Sequence, residues 1–144
     1  MTIDDPHELQ RFLAAQDGGA YARAVAELRA GHKTSHWMWF VFPQIAGLGR
    51  SPTAQRYAIS SLDEARAYLA HPVLGARLRE SAQLLTEQPG RSAPEIFGGI
   101  DAMKLRSSMT LFARADPGDP VFARVLELYF AGEPDPATEQ LLHA

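Results

Sequence analysis

At Asp5-Pro6, Ser51-Pro52, Asp119-Pro120 and Asp135-Pro136 an acidic or hydroxyl residue stands immediately before a proline. Proline lacks an N–H and has φ fixed near the helical value, so it suits the first position of a helix and disrupts a sheet ladder. The residue before it can supply the side-chain oxygen that caps the new helix. This one device reconciles ten prolines with a helical chain. It confines the fold to short helices joined by tight turns.

Taken in order, the periodicity agrees. Leu9, Phe12 and Leu13 repeat at helical spacing after Asp5, to about Gln16, and Gly18-Gly19 breaks the run. Tyr21, Ala24, Val25 and Leu28 form a second stripe that Gly31 stops. Ser51-Pro52 opens a short segment, and Ser61 with Glu64 reads as a capping box for the next. From Pro72 a longer helix carries Leu74, Leu78, Ala82 and Leu85 to the vicinity of Pro89-Gly90. Ser92 with Glu95 forms another capping box, and Gly98 ends that turn. Asp101 reads as the cap of a helix with Leu105, Ser108, Met109 and Phe112 inward, and two further helices begin at Pro120 and Pro136. The expected fold is all-α, a compact single-domain bundle of about eight helices over residues 1–144 with no sheet.

One stretch departs from this even pattern. Between Gly31 and Ser51 lie both tryptophans, Trp37 and Trp39, with Phe40, Phe42, Lys33, His36, Gln44 and a Gly-X-Gly turn. The run HWMWFVF is apolar on every face, so periodicity does not separate buried helix from buried strand; no second strand is available to pair with it, which favours helix up to Pro43. Aromatic rings flanked by titratable and amide groups can form a pocket wall or a core anchor.

Composition narrows the chemistry. With no cysteine there is no disulfide, thiolate metal site or cysteine nucleophile. The formal charge of −3 and the lack of a basic block disfavour nucleic acid. The N-terminus has no signal-like pattern and no window approaches a membrane span, so a soluble cytoplasmic protein is expected. The five histidines include one spacing of four, His32 and His36, interrupted by non-helical residues, so no metal or other cofactor is implied. Oligomeric state is open.

The strings RFLAAQ, ELRAGHKTSHWMWFVFPQIAGLG, AYLAHPVLGARL and IFGGIDAMKLRSSMTLF, in that order, resemble the bacterial family of domain of unknown function 1810. The resemblance runs from about Arg11 to Phe112 and implies an all-helical fold without an established activity. Some members of that family are labelled calpastatin. A calpain-inhibitor segment is expected to be polar and disordered, whereas this chain is 46% hydrophobic with regular helical stripes.

The candidate site combines three elements. His36 is the candidate proton-transfer group, with Lys33 beside it and Trp37 or Trp39 available for stacking. Gln44 through Ser51 ends at a helix start, where Arg50 and Ser51 are candidate anion ligands; the Gly-X-Gly matches neither a dinucleotide fingerprint nor a P-loop. Asp101, Lys104 and Ser108 share a helix face that can meet the tryptophan loop across a cleft, while Arg106 and Ser107 are expected to point elsewhere. Arg11 or Gln16 is expected to face the same cleft. No nucleophile elbow accompanies Ser107-Ser108. The expected ligand is small and anionic or nucleotide-like, with group transfer or hydrolysis as the attendant chemistry. The alternative is a non-catalytic module that docks a partner through the Trp37-Trp39 loop, and each residue also has a purely structural reading.

Overall fold

A computed structural model describes residues 5–88 and 90–143 and shows an all-α fold. Among the described residues ten helices follow in order: α1 Gln10–Gln16, α2 Ala20–Ala30, α3 Met38–Val41, α4 Pro52–Arg56, α5 Leu62–Ala70, α6 Leu74–Thr86, α7 Ala93–Phe97, α8 Gly99–Ala115, α9 Pro120–Phe130 and α10 Pro136–His143. The number exceeds the expected eight because α3, α4 and α7 are helices of four or five residues. Helices so short hold only through packing and caps. None of the described helices is long and apolar enough to cross a membrane.

The caps follow the proline device with instructive exceptions. Ser51 accepts from the Ala54 amide and Asp119 from the Val121 amide, each with proline at the start of the helix. Ser92 and Glu95 form the full reciprocal box. Ser61 makes only its half, because the Glu64 carboxylate turns to the Ser60 amide and hydroxyl and to Arg11. Asp5 does not open α1 at Pro6. Its two carboxylate oxygens accept from the Leu9 and Gln10 amides across a tight turn, so the helix begins at Gln10. Likewise α6 starts at Leu74 rather than Pro72, with His71 Nδ1 accepting from the Val73 and Leu74 amides. It closes at Thr86; Pro89 lies outside the described residues.

Asp101 is the most consequential departure. Helix α8 begins two residues earlier, at Gly99, which places Asp101 in the first turn with its carboxylate free for ion pairs. Acidic groups are favourable there against the positive end of the helix dipole. Helix α8 is the central post: α3, α5, α7, α9 and α10 all pack on it. Ser107 through Phe112 are buried without interruption, so its middle is covered on every side. The expected inward residues Leu105, Ser108, Met109 and Phe112 are fully buried. Around them Phe12, Tyr68, Phe122 and Trp37 belong to one core cluster.

The α5–α6 corner shows how tight the packing is. A Cβ added at Gly75 would lie 2.1 Å from the Leu69 carbonyl oxygen, a backbone atom that cannot move aside. Gly75→Ala is therefore expected to destabilise by about 1–3 kcal/mol, in the range of overpacking in a close-packed interior. Urea denaturation of the two proteins checks this; an equal or higher midpoint in the variant is the opposite outcome.

Candidate functional site

A single carboxylate shapes the segment between α2 and α3. Glu27, in the last turn of α2, accepts from the Thr34 amide at 2.7 Å, the Ser35 amide at 2.9 Å, the Ser35 hydroxyl at 2.6 Å and the Trp37 indole at 3.0 Å. Gly31, with φ of 71°, supplies the left-handed turn that lets the chain double back over Glu27. Desolvation pushes this carboxyl upward, but the four donors outweigh it and bring its pKa from 4.5 down to about 2.

With the loop so held, Lys33 turns inward. Its Nζ lies 2.9 Å from Asp101 Oδ2, donates to the Ser35 carbonyl and stands 5.0 Å from the centre of the Trp37 ring. The Lys33 side chain is only 7% exposed, so the Asp101 partner is what makes its burial tolerable. Asp101 also serves a second cation: Lys104 Nζ is 3.3 Å from Oδ1 and 4.1 Å from the centre of the Trp39 ring. Two ammonium groups thus share one carboxylate between two indoles, which leaves one positive charge uncompensated within the trio.

Beside Trp39 and Lys104 opens a cleft of about 420 Å³. Its floor is the 44–49 loop, which a parallel bridge between Ile45 and Ile59 pins to the strand-like backbone after α4. The Ala46 amide donates to the Ile59 carbonyl, and the Ile59 amide to the Gln44 carbonyl, both at 2.8 Å. Gly49 lets this loop touch α4, since a Cβ there would meet the Ala54 Cβ at 2.4 Å. The first half of α8 lines it with Ile100, Met103, Lys104 and Ser107, and Asp135 and Ala137 at the start of α10 complete the lining beside Ser107. Most of the lining is apolar, as in small-molecule pockets generally.

The structure brings together Trp39, Gln44 and Lys104 of the expected residues, with Lys33 behind them through Asp101. Other residues go elsewhere. Trp37 is core, and its indole N–H is taken by Glu27. His36 is exposed and precedes α3 without lining the cleft. Arg50 is exposed outside it, and the Ser51 hydroxyl is engaged as the α4 cap. Ser108 is fully buried, its hydroxyl without a partner among the described residues. Ser107, expected to point away, is the serine that lines the cleft. Arg106 does point away and donates to the Glu133 and Pro134 carbonyls.

Arg11 and Gln16 are also absent from this cleft. Arg11 donates to the carbonyls of His7, Glu8, Arg56 and Ala58 and pairs with Glu64 at 2.7 Å, tying α1 to α4 and α5. Gln16 is buried, donating to the Phe40 carbonyl and accepting from Arg77. No sequence pattern singles out Glu27, Tyr57, Met103 or the charge of Asp135. Only Ser107 had a usable signal, its place three residues after Lys104 on one helix.

The fold and cleft define a class: an all-helical protein built round one central helix, with an apolar cleft guarded by a lysine–indole pair. The chain belongs to the family described as protein of unknown function DUF1810, whose model matches residues 6–142. It is similar to the conserved hypothetical protein Rv1873 from Mycobacterium tuberculosis, whose crystal structure is known at 1.38 Å. The two share 54% identity over 97% of this chain and 99% of the other, with a TM-score of 0.95. No match is found among curated proteins.

Because the folded Glu27 pKa lies below its unfolded value, its stabilising effect is full above about pH 4.5 and is lost as pH falls towards 2. Glu27→Gln should be less stable than wild type at pH 7, and the gap should narrow steadily over that acid range. Thermal unfolding of both proteins from pH 7 to pH 2 measures it; a constant gap would mean that the charge is irrelevant.

Proposed function

We propose that the chain binds a small organic anion with an apolar, planar body in the cleft beside Trp39. One observation carries this reading: Lys104 stands 4.1 Å over the Trp39 ring at an apolar cleft, with its carboxylate partner already shared with Lys33. A cation held on an indole face is positioned rather than free to sweep solvent, so a ligand's negative group loses little in ordering it. The walls formed by Ile45, Leu48 and Tyr57 suit the apolar body, and the side-chain amide of Gln44 supplies orientation.

The charge inventory narrows the ligand further. The trio of Lys33, Lys104 and Asp101 carries one net positive charge, which fits a carboxylate or a single ester phosphate better than a polyphosphate. Arg50 and Ser51 lie off the cleft and add nothing to it. His36, exposed and away from the cleft, has no part in this reading, which is one of binding rather than turnover.

A second reading is favoured by Ile100 and Met103, which are 75% and 71% exposed at the cleft's edge. Exposed apolar side chains of that size mark many protein contacts. A partner would then dock over α8, rather than through Trp37, which is core.

Titrating benzoate and naphthoate while following tryptophan fluorescence separates the two. Saturable quenching that Lys104→Gln weakens about tenfold or more, as expected for losing one charge-assisted contact, supports the anion site. His36→Ala should leave the affinity unchanged. Silence in wild type at millimolar ligand, together with concentration-dependent association that Met103→Ser abolishes, would transfer the cleft to the docking reading.

A further inference from the structure

We infer that the ligand is dipolar: a molecule that carries, besides its anionic group, an ammonium or similar cationic donor about one helical turn away. The inference rests on the anion reading above and adds a carboxylate of the same cleft. Asp135 lines the cleft, and its hydrogen bonds among the described residues all go to one oxygen. Oδ2 accepts from the Ser107 hydroxyl at 3.0 Å, the Thr138 amide at 3.1 Å and the Thr138 hydroxyl at 2.6 Å. Oδ1 has no hydrogen-bond partner and no ion pair among the described residues. The cap is therefore satisfied through one oxygen, and the second remains as a bare acceptor at a cleft wall.

The position of this carboxylate is set by α8. Ser107 holds it and lies one turn beyond Lys104, a separation of about 5–6 Å between Cβ atoms. Lys104 does not pair with Asp135; it pairs with Asp101 on the other side. The cleft is thus lined by a cation and an anion that do not pair with each other, among apolar side chains. A purely anionic ligand would leave its tail facing the Asp135 charge, whereas a ligand with a donor there would gain a charge-assisted hydrogen bond. The backbone amide of Asp135 is itself fixed by the Thr110 hydroxyl at 2.8 Å, so the carboxylate is held in place before any ligand arrives.

The class of compound is accordingly an amino acid with separated charges, or an aromatic amino-carboxylate, rather than a simple acid or a nucleoside polyphosphate. The cleft volume of about 420 Å³ accommodates one aromatic ring with both substituents.

The test uses three matched probes on the wild-type protein: 3-(aminomethyl)benzoate, benzoate and benzylamine, each titrated by calorimetry at pH 7. The dipolar probe is expected to bind about tenfold tighter than either control, the gain of one charge-assisted hydrogen bond. Asp135→Asn, which keeps a competent helix cap, should reduce the dipolar probe to the affinity of benzoate and leave benzoate itself unchanged or slightly improved. Equal binding of benzoate and the dipolar probe to wild type would overturn the inference while sparing the anion site. No binding of benzoate or of the dipolar probe would overturn both. Preferential binding of benzylamine would make the cleft a cation site and would likewise overturn both.

Discussion

Burying the Lys33 ammonium obliges the protein to bring a carboxylate to it, and that requirement links its two most distinctive parts. The aromatic loop and α8 are about seventy residues apart in the chain and share no ladder of backbone bonds between Lys33 and Asp101. Their junction is the 2.9 Å pair of Lys33 with Asp101, sealed by the Trp37 ring. An unpaired ammonium at that depth would cost several kcal/mol, so the pair acts more as a constraint on geometry than as a gain in stability. The Lys33 amide, donating to the Ile96 carbonyl at 2.8 Å, adds a second tie to the same place.

The lysine–indole contact at the cleft inherits its position from this junction. Asp101 at the first turn of α8 carries Lys104 one turn further on, and Lys104 comes to rest on Trp39. Glu27 prepares the other side by gathering the Thr34, Ser35 and Trp37 donors, which directs Lys33 inward. A loop without regular structure is thereby as determined as a helix. Its order comes from one acceptor with four donors rather than from backbone repetition.

The division of labour between the two tryptophans follows. Trp37 has its N–H bonded and both its surroundings filled, so it is part of the core. Trp39, two residues on in α3, is turned to the cleft by the helical rotation between them. One short helix thus anchors the interior with one side and furnishes a cleft wall with the other. Rv1873, at 54% identity and a TM-score of 0.95, shares the framework in which that division is made.

Helix type, the approximate limits of the helices and the inward stripe of α8 were legible in the sequence because they depend on neighbours within four residues. Proline after Ser51 or Asp119, glycine at Gly31 and the spacing of Leu105, Met109 and Phe112 act locally, and the structure repeats them. Among the ends that differed, Asp5 spans a turn to the Leu9 and Gln10 amides, His71 takes the Val73 and Leu74 amides, and Asp101 pairs with Lys33 on another element. The site was legible only in part. Trp39, Gln44 and Lys104 line one cleft, but no spacing distinguishes Trp37 from Trp39, Ser107 from Ser108, or a capping aspartate from one with an oxygen to spare. Those distinctions depend on which face of α8 and α3 is covered, and that is decided by how the helices pack, through contacts between residues far apart in the chain.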